Sequence, residues 1–188
     1  MNRRKRRGKD KLIFFTTNIT EKFYSLKHLL NLLINNNSNN MSLPSEFGYV
    51  AIVYLAGGWI TNTMIGGLVM KARKKYGVEY PTLYVSKGEK FEKEFNSCQR
   101  GHQNMIETQA IITGMALFGA VGSRNFALAN TFGGLCYLIG SYLYAKGYAT
   151  NEANGKGRYK SGGAVKYIGI LTGLVTCVWS GLLMAKVF

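Results

Sequence analysis

Three long stretches without a single charged residue constrain this chain more than any other feature. They are 24, 21 and 19 residues long and cover 47–70, 125–145 and 167–185. A helix of about 20 residues crosses the hydrocarbon core of a bilayer, which is about 30 Å thick. Each stretch therefore predicts a transmembrane helix, and the chain is expected to be an all-α membrane protein with the lipid bilayer as its surroundings.

A fourth helix-length stretch follows the first long loop, although it contains Glu107. With it, the sequence predicts a four-transmembrane-helix bundle, with spans near 47–70, 101–123, 125–146 and 164–186. These spans are rich in glycine, which lets helix backbones approach closely in a membrane. Because only a short turn separates the second span from the third, we expect these two helices to form a hairpin.

The basic residues lie mainly outside the spans. The chain has 24 Lys and Arg against 9 Asp and Glu, a formal net charge of +15. The loops 71–100 and 146–166 are rich in Lys and Arg, whereas the turn between the second and third spans has only Arg124. Because cytosolic loops accumulate Lys and Arg, both large loops are expected in the cytosol and both termini on the other side.

Residues 1–40 differ from the rest of the chain. They begin with the basic run Arg-Arg-Lys-Arg-Arg at 3–7 and end in an Asn-rich tract at 35–40. We expect a targeting, disordered or untranslated N-terminal extension, with Met41 as an alternative start, followed by a membrane domain at 41–188. Such a basic run also occurs in nucleic-acid-binding segments, but no nucleic acid partner is expected of a chain that is otherwise embedded in a membrane.

Two rows of polar residues stand out within the predicted spans. Arg100, Asn104 and Glu107 follow i, i+4, i+7 spacing and so share one helix face. Ionisable groups inside a span are expensive and are by default functional, although an Arg–Glu pair could equally stabilise the helix end. The third span carries a second row, which consists of Tyr137, Ser141, Tyr144 and Tyr148. Tyrosine is also a common interface anchor, so both interpretations stay open.

Further cations are expected at the same cytosolic end, namely Arg73, Lys74, Lys156, Arg158 and Lys160. Arg binds carboxylates bidentately, and Glu107 can accept an ammonium group. The combination predicts a site for a small zwitterionic ligand with several carboxylates, beside a lipid-facing groove for an apolar molecule. Three cysteines without a CxxC pair predict no metal site.

Four sequence blocks carry a family resemblance: Ala-Arg-Lys-Lys-Tyr at 72–76, Val-Glu-Tyr-Pro at 78–81, the block 95–104 that ends in Arg-Gly-His-Gln-Asn, and Tyr-Ala-Lys-Gly-Tyr at 144–148. Together they resemble the MAPEG family, most closely its microsomal glutathione transferase 3 branch. The resemblance extends from about Ser45 to the end of the chain. The Arg-Gly-His-Gln-Asn block, followed three residues later by Glu107, is its most specific part.

The resemblance implies a homotrimer of four-helix subunits in the endoplasmic reticulum membrane, or alternatively in the mitochondrial outer membrane. Glutathione would bind as co-substrate near the cytosolic face, between adjacent subunits. The expected glutathione contacts are Arg73, Lys74, Arg100, His102, Asn104, Glu107, Tyr144 and Tyr148. His102 stands where a leukotriene-synthesising relative has Gln, and Thr108 stands where it has Tyr.

The implied activity is that of a glutathione transferase, with glutathione peroxidase and leukotriene-C-synthase-like activities. In relatives the catalytic arginine follows the second tyrosine by about seven residues, where this chain has Gly155. Arg158 is the expected catalytic cation and Lys156 the alternative. A guanidinium at hydrogen-bonding distance favours the thiolate of glutathione, which is the form that attacks a lipophilic electrophile or a lipid hydroperoxide.

Three other interpretations remain open at this point. The chain could be a noncatalytic lipid-binding member, like the family's lipoxygenase-activating relative. It could also be a small ion or proton transporter that uses Glu107. Cys98, which lies just before the polar block, could be a modifiable thiol near the cytosolic surface.

Overall fold

The computed structural model describes residues 43–150 and 157–186. Across these two ranges the regular secondary structure is helical, without a β-strand. The predicted N-terminal extension at 1–40 and the candidate Lys156 lie outside the described residues.

Four long helices and one short helix form this part of the chain. Helix α1 covers 47–76 and includes a π-helical turn at Ile52–Gly57. The other elements are α2 (Glu92–Ala120), α3 (Arg124–Ala149), the short α4 (Gly157–Lys160), a 3₁₀ turn (Gly163–Val165) and α5 (Lys166–Met184). The expected hairpin is confirmed, because three residues separate the end of α2 from the start of α3.

Three helical segments are long and apolar enough to cross a membrane: Phe47–Tyr76, Arg124–Ala149 and Gly163–Met184. They confirm three of the four predicted spans. The remaining predicted span, 101–123, coincides with α2, which begins earlier, at Glu92. Helix α2 is not among the three, because its N-terminal half carries charged and amide side chains, and its crossing of the bilayer stays a prediction.

The residues at the helix ends have the backbone conformations and hydrogen bonds that are typical of their residue types. Gly77 ends α1 with a φ of 67°, in the left-handed region that glycine adopts without strain. Ser123 caps α3, because its hydroxyl accepts a hydrogen bond from the Phe126 backbone N–H at 3.2 Å. At the same end, Arg124 forms an ion pair with Glu46 at 2.6 Å and so ties the start of α3 to the start of α1.

Glycine allows α3 and α5 to touch backbone to backbone. A Cβ at Gly169 would lie 2.2 Å from the carbonyl oxygen of Gly133, closer than any real contact. A Cβ at Gly140 would likewise lie 2.2 Å from the backbone nitrogen of Lys166. The close helix packing expected from the glycine content is therefore confirmed for this pair.

The interior and the outer surface differ in the way a membrane bundle requires. Tyr54, Tyr137 and Met105 are buried at the centre. Large apolar side chains such as Trp59 and Leu171 are instead exposed on the outer faces of α1 and α5. In water such surfaces would be unfavourable, whereas lipid tails solvate them.

We expect Gly169→Ala to destabilise the bundle by about 1–3 kcal/mol, because the added methyl group forces α3 and α5 apart. Thermal unfolding in detergent measures the loss. Gly67→Ala is the matched control, because a Cβ there has nothing within 4 Å and alanine favours a helix. Equal stability of the two variants would contradict the close α3–α5 contact.

Candidate functional site

A cluster of cations and tyrosines forms where α3 ends, α4 lies across it and α5 begins. A Cβ at Gly147 would lie 2.3 Å from the carbonyl oxygen of Gly157, so glycine is needed for α4 to rest on α3. The Ser161 hydroxyl then donates a hydrogen bond to the Leu143 carbonyl at 2.9 Å and holds the segment in place. This contact brings the side chain of Arg158 over the last turns of α3.

Arg158 lies among three tyrosine rings. Its Nη1 donates a hydrogen bond to the Tyr148 hydroxyl at 3.0 Å. Its guanidinium carbon lies 4.7 Å from the centre of the Tyr159 ring and 5.9 Å from that of Tyr144. Its Nε is buried and has no hydrogen-bond partner among the described residues. This donor therefore has no acceptor from the protein within the described residues.

The guanidinium already affects an acidic group beside it. Hydrogen bonding from Arg158 lowers the pKa of the Tyr159 phenol below its ordinary value. Tyr159 in turn raises the pKa of Arg158, so the guanidinium is held in its charged form. The same cation would act on any other weak acid that came within hydrogen-bonding distance, including a thiol.

Lys166 is the site residue that sequence reasoning missed. In the sequence it is one of the basic residues of the predicted loop 146–166, yet in the structure it is 3 % exposed and lies at the start of α5. Its Nζ lies 3.8 Å from the centre of the Tyr144 ring and donates a hydrogen bond to Asn104 Oδ1 at 2.5 Å. Its place at the edge of an uncharged run, followed by Tyr167, was the one available signal.

The predicted row on α2 is present. Arg100 and Glu107 form an ion pair at 3.6 Å, which confirms that they share a helix face. Both side chains are about half exposed, at 51 % and 48 %. Asn104 lies between them in sequence and directs its oxygen to Lys166. The row is therefore both a helix-stabilising pair and a polar surface that reaches the tyrosine cluster through Lys166.

The second predicted row, on α3, faces inward for most of its length. Tyr137, Ser141 and Tyr144 are buried, and the Tyr137 hydroxyl lies 3.0 Å from Thr108 Oγ1 on α2. Only Tyr148 is partly exposed. Interface anchoring therefore does not describe these buried tyrosines.

His102 points away from this surface. Its Nε2 lies 3.0 Å from Asn62 Oδ1 on α1. The neighbouring Gln103 accepts a hydrogen bond from the Tyr84 hydroxyl in the α1–α2 loop. The His102 imidazole therefore joins α2 to α1, and the Gln103 amide joins α2 to the α1–α2 loop. Arg100 and Glu107 remain on the outer face.

Arg73 is 8 % exposed and is enclosed by the loop that follows α1. Its guanidinium donates hydrogen bonds to the carbonyl oxygens of Thr82 at 2.8 Å and of Val78 and Glu79 at 3.4 Å. It also lies 4.3 Å from the centre of the Tyr80 ring. The contacts of Arg73 are thus with this loop and not with the tyrosine cluster, whereas Lys74 is exposed.

The sequence region that contains the loop, the cationic cluster and most of the four long helices matches a known family. The sequence model of the MAPEG family matches residues 48–179. The chain belongs to the MAPEG family. This family includes glutathione transferases, peroxidases and noncatalytic members. The matched region of the MAPEG protein contains every candidate site residue, from Arg73 to Lys166.

Cys98 of the MAPEG protein is 3 % exposed and packs with Phe95 and Val85, so the interpretation as an accessible, modifiable thiol is wrong for this conformation. Within 43–150 and 157–186, no group of three or more His, Cys, Asp or Glu side chains is placed to hold a metal ion.

We expect Arg73→Ala to loosen the α1–α2 loop, because three carbonyl oxygens lose their shared donor. Hydrogen exchange of the backbone amides at 77–91, measured by mass spectrometry, should accelerate several-fold. Lys74→Ala removes the same charge from the exposed neighbour and should leave this exchange unchanged. Equal exchange in both variants would show that Arg73 does not hold the loop.

Proposed function

We propose that this MAPEG protein is a membrane glutathione transferase that also reduces lipid hydroperoxides, with Arg158 as the cation that activates the thiol. The observation that carries the proposal is the arrangement of Arg158. Its guanidinium is fixed by Tyr148 and Tyr159, and its buried Nε has no acceptor among the described residues. A pre-organised donor of this kind stabilises an anion at little reorganisation cost.

The magnitude of the effect is sufficient for catalysis. A free thiol with a pKa near 8.5 is only a few per cent thiolate at neutral pH. Lowering that pKa by about two units requires about 2.7 kcal/mol of differential stabilisation and makes most of the bound thiol reactive. One charge-assisted hydrogen bond contributes about 1.5–3 kcal/mol, so Arg158 can supply most of the shift.

The reaction then needs no covalent bond to the protein. The thiol releases its proton to water, and the thiolate forms a carbon–sulfur bond with a lipophilic electrophile while the leaving group departs with its electron pair. With a lipid hydroperoxide, the thiolate attacks one oxygen and cleaves the O–O bond, which gives a sulfenic acid and an alkoxide. The alkoxide takes a proton from water and leaves as the alcohol. A second glutathione converts the sulfenic acid to the disulfide and water. The protein positions and ionises the first thiol.

The polar surface of α2 supports a ligand-binding role at the same membrane end. In this proposal Arg100, Asn104, Glu107 and Tyr148 contact the carboxylates and the ammonium group of glutathione, with Tyr144 beneath them. Arg73, Lys74 and His102 remain predicted glutathione contacts, and Arg73 also holds the loop that follows α1. Lys156 remains the alternative catalytic cation.

The same surface supports a homotrimer. Arg100 and Glu107 are about half exposed on a helix that we propose as the fourth span. Charged groups that face lipid cost free energy, so we propose that a second copy of the chain packs against this face of α2. We also propose that the protein belongs to the microsomal glutathione transferase 3 branch. It would lie in the endoplasmic reticulum membrane with both large loops in the cytosol.

One observation favours a second candidate function. The Arg158 guanidinium already has the Tyr148 hydroxyl as acceptor and three tyrosine rings around it. A cation satisfied in this way could serve only to hold α4 on α3. The protein would then be a noncatalytic lipid-binding member that uses the exposed apolar faces of α1 and α5.

We expect glutathione to produce an ultraviolet thiolate band when it is added to detergent-purified protein. Arg158→Ala should abolish this band, because the bound thiol then keeps an ordinary pKa. Lys146→Ala is the control, since Lys146 is an exposed cation at the same end of α3. Difference absorbance at matched protein and glutathione concentrations measures the effect.

The outcomes separate the candidates. Loss of the band only in Lys156→Ala would keep the mechanism and transfer the catalytic role to that residue. A wild-type protein that shows no band and is inactive toward electrophiles and hydroperoxides would support the noncatalytic lipid-binding function. Thermal unfolding of each variant shows whether a lost band reflects lost structure.

A further inference from the structure

Lys166 makes an unusual contact for a buried lysine. Its ammonium group donates to the side-chain oxygen of Asn104, at 2.5 Å, across 62 residues of sequence. An ammonium group has three donors and no acceptor. It can therefore pair only with the oxygen of the Asn104 amide and never with its nitrogen.

This contact fixes which end of the amide faces away from Lys166. Asn104 is partly exposed, and its Nδ2 makes no hydrogen bond within the described part of the chain. If the amide were reversed, its NH₂ group would face the ammonium, donor against donor, which costs the full desolvation of both groups. Asn104 therefore offers donors, and not an acceptor, on the face it shares with Arg100 and Glu107.

Burial of the Lys166 ammonium group costs free energy, and the orientation of Asn104 is a role that would explain why a lysine stands here. The residue is 3 % exposed and begins α5, where the helix dipole disfavours a cation. Among residues 43–150 and 157–186 it forms no ion pair with a carboxylate. The Tyr144 ring compensates part of the cost. Methionine would fill similar space without burying a charge, so packing alone does not explain the lysine.

We propose that Lys166 is a positioning residue that orients Asn104 as a hydrogen-bond donor toward an acceptor group of the bound ligand. The ligand group is a carboxylate or a peptide carbonyl, which are the acceptors that glutathione carries. This inference rests on the proposed function, because it assigns Lys166 a part in binding the same co-substrate.

A double-mutant cycle tests whether Lys166 acts through Asn104. We expect Lys166→Met and Asn104→Ala each to raise the Kd for glutathione about tenfold, the effect of losing one hydrogen bond to a charged group. The double variant should also bind about tenfold more weakly, because the two residues share one contact. The kcat should change less than twofold in Lys166→Met, and Lys146→Met should bind like wild type.

The Asn104→Asp variant distinguishes a positioning role of Lys166 from a purely structural role. The carboxylate keeps its bond to Lys166, so thermal stability should be unchanged or higher. The second carboxylate oxygen takes the place of Nδ2 and is a negatively charged acceptor instead of a donor. The Kd for glutathione should therefore rise more than in Asn104→Ala. Lys166→Arg, which also presents only donors, should restore binding toward the wild-type Kd.

Titration calorimetry on the full chain in detergent measures all of these constants. Additive losses, near a hundredfold in the double variant, would overturn the inference, as would an Asn104→Asp protein that binds like wild type. If Lys166→Met does not fold, the Asn104→Asp comparison decides alone. A wild-type protein that does not bind glutathione would overturn the proposed function and this inference together, whereas wild-type binding with additive losses overturns only the inference.

Discussion

The site depends on close backbone contact between α3 and the segment that contains α4 and the start of α5. Glycines on α3 make this contact possible. A Cβ at Gly140 would collide with the backbone of Lys166, and one at Gly147 would collide with that of Gly157. A Cβ at Gly163 would lie 2.3 Å from the carbonyl oxygen of Arg158. Because these contacts fix the chain closely, Arg158 from α4 and Lys166 from α5 both reach the ring of Tyr144.

The electrostatic cost of that arrangement links the fold to its proposed chemistry. Arg158 and Lys166 both lie against Tyr144, and within the described residues neither forms an ion pair with a carboxylate. Aromatic faces and amide oxygens stabilise such cations only in part. An anionic ligand would complete the compensation, and its binding energy would also stabilise the folded protein. A thiolate beside Arg158 and an acceptor beside Asn104 meet these two requirements.

Sequence reasoning succeeded where a property depends on neighbours along the chain. Three spans followed from the absence of charge, and the pairing of Arg100 with Glu107 followed from helical spacing. It failed where a property depends on contacts between distant residues. The burial of Lys166 comes from its approach to Gly140 and Asn104, which no local pattern reveals. The enclosure of Arg73 depends likewise on how the loop after Gly77 returns over it.

The decisive measurement is the pKa of glutathione's thiol when it is bound to the wild-type protein. The pH dependence of its reaction rate with an uncharged lipophilic electrophile reports this value. We predict a pKa about two units below the value of about 8.5 for a free thiol, because the Arg158 guanidinium stabilises the anion. A bound thiol that titrates near its free value would show that Arg158 does not activate it.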